Sequence, residues 1–244
     1  MNPAHGTLRV FEDAAALARA AAEEVCARAE TAGGRFMLNL SGGSTPKPLY
    51  MALASPPLRD RFPWDRAQFT WGDERFVPPD HPASNARMVR EAMLSRVPVA
   101  PGQVHPVPTT GMTPGRAAAC YERSLQTLYG ADRLDPARPL FDVVLLGLGE
   151  DGHTASLLPG QPVLEERTRW VAAVPQGREE VRITLTYPAL ESTRAAIFLV
   201  AGAGKRDVLD RILSGGSEVP AARLRPQGEL LWFADRAAAG RWAG

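Results

Sequence analysis

The sequence is poor in cysteine, and the two cysteines that it has stand apart. Cys26 and Cys120 are the only ones in 244 residues, and each lies in an alanine-rich helical pattern. Neither a disulfide framework nor a paired-cysteine metal motif can be built from them. Both are therefore predicted to be small core residues rather than nucleophiles.

The sequence also has no long hydrophobic run and no large excess of charge of either sign. The longest apolar runs fall far short of the ~20 residues that a membrane-spanning helix needs. The beginning of the chain, MNPAHGTLRVFEDAA, has no signal pattern of charged and then apolar residues. With 28 basic and 27 acidic residues, no overall field would attract nucleic acid or an anionic membrane. We expect a cytoplasmic protein without nucleic-acid or membrane partners, in which any anion binding is local.

Lysine is nearly absent. It supplies two of the 28 basic residues, Lys47 and Lys205, and the other 26 are arginines. The two side chains are not interchangeable, because an ammonium group is compact and a guanidinium group is a planar fork. Each lysine is therefore a candidate for a position that needs a compact ammonium, although two could survive by chance.

The hydrophobic pattern predicts strands that alternate with helices along the chain. Short apolar or alternating runs, typical of strands, occur at 7–11, 36–40, 67–71, 143–146, 170–174, 181–185, 195–200 and 230–233. Such alternation implies an α/β fold with a layered, largely parallel sheet flanked by helices. Because no linker or internal repeat interrupts the sequence, a single α/β domain is expected over residues 1–244.

Four of the predicted strands end in loops that combine glycine with charged or hydroxyl groups. These strands end near Leu40, Trp71, Leu146 and Val200. In α/β enzymes the carboxyl ends of the strands are where chemistry is placed. The four loops are therefore candidate parts of a functional site.

Two of these loops suit a phosphate group. The sequence SGGSTP at 41–46 joins a strand to a helix start, where free N–H groups and the helix dipole attract anions. A capped helix start is the simpler interpretation, but five successive residues from Ser41 to Thr45 exceed what capping requires. Lys205, at a glycine-rich strand end that opens a helix, is a second position compatible with phosphate.

One of the four histidines lies in the glycine turn directly after a buried strand. His153 follows Asp151 in that turn, and an imidazole titrates near neutral pH. A solvated histidine in a tight turn is equally compatible with this segment alone. His81 is expected to be solvated, His105 has no identifiable partner, and His5 belongs to a terminus expected to fray.

The glycines before this histidine also satisfy a dinucleotide-binding pattern. Gly147, Gly149 and Gly152 match G-x-G-x-x-G, which raises a nicotinamide-dependent oxidoreductase as a rival. That motif needs a full helix after the glycines and an acid at the end of the next strand. Here a proline-glycine pair at 159–160 interrupts after roughly two turns, and no acid ends the next strand, so the context argues against it.

The sequence around two arginines leaves their roles open. Arg75 ends the sequence WGDER and could bind substrate or belong to a surface ion-pair cluster with Asp73 and Glu74. Arg182 shares the polar face of an alternating strand with Thr184, where an ordinary solvent-facing arginine is the simpler interpretation.

Together these motifs resemble the 6-phosphogluconolactonase family. The matching segments are SGGSTP at 41–46, WGDER at 71–75 with Ser84-Asn85, GLGEDGHTAS at 147–156 with Pro159-Gly160, and Lys205. They span nearly the whole chain in the family's order. The resemblance implies a NagB/RpiA/CoA-transferase-like fold, no cofactor and no metal. It also implies hydrolysis of 6-phospho-D-glucono-1,5-lactone to 6-phospho-D-gluconate in the oxidative pentose phosphate pathway.

A neighbouring family, the glucosamine-6-phosphate deaminases and isomerases, shares the serine-glycine loop and the Asp-Gly-His turn. It carries a glutamate, tied to ring opening, five residues after the histidine, where this chain has Leu158. Leucine cannot transfer protons, whereas lactone hydrolysis needs only an activated water and charge stabilisation. This favours the lactonase, with the deaminase and a non-catalytic sugar-phosphate-binding protein as alternatives.

The resemblance suggests roles for the candidate site residues. His153 is the hypothetical general base, Asp151 would orient or tune it, and Arg75 would stabilise the carbonyl oxygen or bind the sugar hydroxyls. The residues expected to bind the substrate, most of them through its phosphate, are Gly42, Gly43, Ser44, Thr45, Arg182 and Lys205. The expected partner is a small phosphosugar lactone. The sequence does not determine the oligomeric state, and a monomer is favoured.

Overall fold

Strands alternate with helices along the chain, as predicted. A computed structural model describes residues 6–244, so the prediction for His5 lies outside the described residues. In chain order the strands are β1 (Thr7–Phe11), β2 (Phe36–Leu40), β3 (Ala67–Trp71), β4 (Asp73–Arg75), β5 (Phe141–Gly147), β6 (Val171–Val174), β7 (Arg182–Leu185), β8 (Thr193–Val200) and β9 (Glu229–Asp235). The α-helices are α1 (Ala14–Thr31), α2 (Lys47–Leu53), α3 (Leu58–Arg61), α4 (Asn85–Ala92), α5 (Pro114–Tyr129), α6 (Tyr187–Glu191), α7 (Arg206–Leu213), α8 (Pro220–Arg223) and α9 (Arg236–Ala239).

Six strands form a parallel sheet in the order β1-β9-β8-β5-β2-β3. Every residue of β2 is buried, so both faces of that strand are covered, as its continuous apolar sequence requires. Aromatic side chains fill the core between strands and helices. Phe198 of β8 stacks on Trp232 of β9, for example, with 4.1 Å between ring centroids. The prediction of a largely parallel sheet flanked by helices is confirmed.

The topology places a crevice at the carboxyl ends of the central strands. The chain passes from β2 to β3 on one side, and from β5 to β8 and β9 on the other. The carboxyl ends of β2 and β5 therefore flank a point where the connections diverge, which is where open α/β sheets bind ligands. The four strands whose loops were singled out, β3, β2, β5 and β8, are consecutive in the sheet.

Side chains cap the starts of α1 and α4 but not the start of α2. Asp13 caps α1 by accepting a hydrogen bond from the Ala16 N–H at 2.7 Å, and Ser84 caps α4 by accepting one from the Arg87 N–H at 3.1 Å. At α2 the capping position is occupied by Pro46, and no side chain makes a capping hydrogen bond. The hydroxyl groups at 41–45 are therefore not used for capping. None of the helices within residues 6–244 has the length and apolarity to cross a membrane.

A second, antiparallel sheet was not predicted. It contains β4, β7 and β6 in that order, and β4 escaped prediction because it is three charged residues long. The interpretation of Arg182 as an ordinary solvent-facing arginine is wrong, because its side chain is 14% exposed. Thr184, on the same face of β7, is 1% exposed. Its hydroxyl accepts a hydrogen bond from the backbone N–H of Ser156 at 3.1 Å. The polar face of β7 is thus turned toward the loop that follows β5.

Candidate active site

A cleft with a volume of about 330 Å³ lies at the carboxyl ends of β2, β5 and β8, beside β4 and β7. The predicted site residues that line it are Gly42, Gly43, Ser44, Thr45, Arg75, His153, Arg182 and Lys205. The remaining one, Asp151, contacts His153 from outside the lining. The structure therefore brings the nine predicted residues to one place.

The serine-glycine loop, residues 41–45, is fixed by hydrogen bonds at its first residue, and its middle residues are exposed to the cleft. The Tyr50 hydroxyl accepts a hydrogen bond from the Ser41 N–H at 2.9 Å and donates one to the Ser41 carbonyl at 2.7 Å. Burial raises the pKa of Tyr50, so its hydroxyl stays protonated and can make both contacts. Gly43 has a φ of 98°, a conformation that favours glycine. Gly43 and Ser44 are both exposed to the cleft.

Gly42 allows a close approach from α4. A Cβ atom at this position would lie 1.9 Å from Oδ1 of Asn85, so only glycine fits there. Asn85 in turn donates a hydrogen bond to the Asp73 carbonyl oxygen at 3.0 Å. The other side of Asp73 is fixed by Ser156, whose hydroxyl donates to the Asp73 carboxylate at 2.6 Å. The serine-glycine loop, α4, β4 and the loop after β5 are thus in contact at the cleft wall.

Glu74 anchors β4 to the N-terminus of α4. Its carboxylate is 2% exposed and accepts hydrogen bonds from the backbone N–H groups of Asn85 at 2.7 Å and Ala86 at 2.8 Å. Burial raises the pKa of Glu74, and the backbone hydrogen bonds oppose that rise. The alternative of a surface ion-pair cluster at 73–75 is therefore wrong, since both carboxylates in this segment are buried.

Arg75 and Arg182 lie opposite each other across the β4–β7 pair. The Nε atoms of both are buried without a hydrogen-bond partner among the described residues. Nη1 of Arg75 donates to the Ala83 carbonyl at 2.7 Å, and Nη2 of Arg182 to Glu180 at 3.2 Å. Burial and the neighbouring charge of Arg75 lower the pKa of Arg182. Like charges directly opposite across a sheet are destabilising, so this pair is suited to an anion in the cleft.

His153 and Asp151 form a hydrogen-bonded pair in the loop after β5. Nδ1 of the imidazole is 2.5 Å from Oδ1 of Asp151. A ring nitrogen that donates to a carboxylate carries the proton, which leaves Nε2 as the basic nitrogen. A Cβ atom at Gly149 would lie 2.0 Å from Nδ1, so glycine is needed to admit the imidazole. No helix follows within residues 148–161, a further departure from a dinucleotide-binding turn.

The two lysines differ in position. Lys205 lines the cleft, with Nζ 4.0 Å from the Glu150 carboxylate. Lys47 is exposed and lies outside the cleft lining. The scarcity of lysine therefore pointed to a cleft residue in the case of Lys205 but not in the case of Lys47.

Some residues around the cleft were given no role from sequence. Asp73 and Asn85 line it, and their polar character beside a strand end and a helix start was the signal that could have found them. Arg178, which contacts Asp151 at 2.7 Å, lies in a segment without a motif and gave no such signal.

Comparisons with known proteins identify the family. A family profile described as glucosamine-6-phosphate isomerases/6-phosphogluconolactonase matches residues 12–232. The chain belongs to this family. A 6-phosphogluconolactonase from Nostoc sp. is 43% identical over 239 residues, which are 95% of this chain and 96% of the relative. The resemblance to the 6-phosphogluconolactonase family, which the motifs indicated, is confirmed.

Solved structures agree with this assignment. The 6-phosphogluconolactonase from Trypanosoma cruzi superposes with a TM-score of 0.84 at 30% identity, covering 98% of this chain and 97% of the other. A monomeric glucosamine-6-phosphate deaminase superposes with a TM-score of 0.81 at 17% identity, covering 96% and 98%. The second likeness shows the fold alone.

Proposed function

We propose that the chain hydrolyses 6-phospho-D-glucono-1,5-lactone to 6-phospho-D-gluconate, with His153 as general base. The observation that carries the proposal is the imidazole at the cleft wall, whose Nδ1 is engaged by Asp151 at 2.5 Å. Its other nitrogen is thereby available to a water molecule. Two cleft-lining arginines with unpartnered Nε atoms supply the charge that a phosphosugar needs. The names of the relatives point to the same substrate.

The proposed reaction has two steps. Nε2 of His153 removes a proton from water as the water oxygen attacks the lactone carbonyl carbon, and the carbonyl oxygen becomes an oxyanion. The oxyanion then collapses, the bond from that carbon to the ring oxygen breaks, and the imidazolium returns its proton to the ring oxygen. Arg75, which lines the cleft, would stabilise the oxyanion or bind the sugar hydroxyls.

The phosphate would be held away from the reacting carbon. The 42–45 loop, Arg182 and Lys205 line the same cleft as the imidazole and offer backbone N–H groups, a hydroxyl and fixed positive charge. Holding the phosphate orients the lactone toward His153, which is where an enzyme acting on a labile ester gains most.

Proton release from freshly made lactone tests the proposal, because each hydrolysis yields one carboxylic acid. We expect wild-type protein to exceed the buffer rate clearly, and His153→Gln to lose about a hundredfold or more in kcat. His105→Gln is the matched control, since His105 lies outside the cleft and bonds Gln68 at 2.8 Å. Wild-type protein no faster than buffer would refute the function, and full activity in His153→Gln would refute the base.

Two further assays separate the alternatives. A deaminase would release ammonia from glucosamine 6-phosphate, and a non-catalytic binding protein would bind 6-phosphogluconate without turning over the lactone. Ammonia release is not expected, since Leu158 is a buried side chain, 2% exposed, where the deaminases carry their glutamate. Binding without turnover is not expected either, because the proposed base His153 lines the same cleft as the proposed phosphate-binding residues.

A further inference from the structure

Arg178 contacts the proposed base pair from a separate element. It lies in the loop between β6 and β7, residues 175–181, which is outside every motif of the family resemblance. Its Nη2 donates to Oδ2 of Asp151 at 2.7 Å and lies 3.2 Å from Nδ1 of His153. Its Nη1 donates to the Gly177 carbonyl at 2.8 Å, which restrains the guanidinium within its own loop.

The two oxygens of Asp151 therefore have different partners. Oδ1 accepts hydrogen bonds from the His153 ring at 2.5 Å and from the His153 backbone N–H at 3.1 Å. Oδ2 accepts from Arg178. A carboxylate held at both oxygens has one orientation, and that orientation determines which ring nitrogen of His153 carries the proton.

We propose that Arg178 is a positioning residue for His153, acting through Asp151 to hold the imidazole neutral and in the tautomer whose Nε2 is basic. The kinetic part of this inference rests on the proposed function. The structural part concerns the imidazole itself and can be tested without turnover.

The charges around the imidazole support this role. Burial would raise the pKa of Asp151, but the hydrogen bonds from Arg178 and His153 lower it well below its ordinary value. The carboxylate therefore stays ionised throughout the range in which an imidazole titrates. Without the guanidinium, an unopposed carboxylate would favour the protonated, non-basic imidazole.

Other charged groups share the cleft but belong to other elements. Asp73 and Arg75 are on β4, Arg182 is on β7, and Lys205 precedes α7 with Glu150 4.0 Å away. None of them is replaced in an Arg178 variant. A change in the titration of His153 in such a variant can therefore be assigned to the loss of the guanidinium beside Asp151 and the imidazole ring.

The experiment compares wild type with Arg178→Met and Arg178→Lys by ¹⁵N NMR of the histidine side chains, with His153→Gln used to assign the signals. In wild type we expect the Nδ1-protonated tautomer. In Arg178→Met we expect a mixture of tautomers and a titration curve moved to higher pH, with partial recovery in Arg178→Lys. Identical tautomers and superimposable curves in all three would overturn the proposal.

Kinetics supply the second readout. For Arg178→Met we expect kcat/KM to fall about threefold to tenfold at about pH 6 and less at about pH 8, mainly through kcat. Arg59→Met is the matched control, because Arg59 is an exposed arginine that pairs with Asp60 away from the cleft. A loss of equal size at every pH would indicate a merely structural role and contradict the proposal. If wild type fails to hydrolyse the lactone, the function is wrong, while the NMR comparison still decides the role of Arg178.

Discussion

Arg75 and Arg182 show most directly how single residues prepare the site for an anion. Their guanidinium groups are half-buried, side by side, and each retains an Nε without a partner among the described residues. The repulsion between the two like charges lowers the stability of the free protein, and a bound anion offsets that loss. Stability and phosphate affinity should therefore respond in opposite directions when one of the two is removed.

We expect Arg182→Met to raise the free energy of unfolding by about 0.5 kcal/mol at low ionic strength, because a like-charge pair is relieved. Inorganic phosphate should stabilise wild type against thermal unfolding and stabilise this variant much less. Thermal unfolding with and without phosphate measures both effects.

The control for this prediction is Arg211→Met. Arg211 is an exposed arginine 3.7 Å from Glu218, outside the cleft lining, so its variant should keep the full response to phosphate. Equal stabilisation of wild type and Arg182→Met by phosphate would contradict the assignment of Arg182 to the anion site.

Individual residues differed in how well sequence predicted them. Cys26 is fully buried, and burial raises the pKa of its thiol to about 11, as expected of a core residue. Cys120 is only partly buried. His105 has a partner, Gln68, that no sequence pattern indicated. Arg178 could not be predicted either, because its role depends on a contact between loops 25 or more positions apart.

At the scale of elements, the strands and helices of the large sheet were predictable and the small sheet was not. Short apolar runs identify β2, β5 and β8, because a strand covered on both faces is continuously hydrophobic. β4 has no hydrophobic signal, since Asp73 and Glu74 are buried through hydrogen bonds to Ser156 and to the α4 backbone. Burial of that kind depends on tertiary contacts and leaves no periodic pattern.

The β6–β7 loop carries a second charged contact that should affect substrate binding. Glu180 lies 3.2 Å from Nη2 of Arg182. Its carboxylate therefore competes with the substrate phosphate, which is proposed to bind the same guanidinium. We expect Glu180→Gln to lower KM for the phosphorylated lactone about twofold to fivefold, because the competing charge is removed. Steady-state kinetics measure the change.

Glu179→Gln controls for the loss of a negative charge from the same loop. Glu179 is exposed and is not among the cleft-lining residues. The Glu179→Gln variant should therefore leave KM unchanged. An unchanged or higher KM in Glu180→Gln would show that Glu180 does not compete with the phosphate.

For the whole molecule, the sheet order explains why distant motifs form one site. β3, β2, β5 and β8 are neighbours in the sheet, so their following loops meet although they are far apart in sequence. The order of the strands could not be predicted from the hydrophobic pattern, which is local. The family resemblance implied the fold, and the contacts among the loops became known only from the structure.

Some predictions about the whole chain stay predictions. These are a single domain over 1–244, a monomer and a cytoplasmic location. The hydrolysis of a phosphosugar lactone is the claim on which the roles of the individual residues depend.

The most direct test compares two substrates that differ only in the phosphate, 6-phospho-D-glucono-1,5-lactone and D-glucono-1,5-lactone. If one cleft combines an imidazole base with a phosphate site, kcat/KM should favour the phosphorylated lactone by about a hundredfold or more. His153→Gln should lose activity on both. Equal kcat/KM for the two lactones, or no rate above buffer for either, would contradict the proposed function.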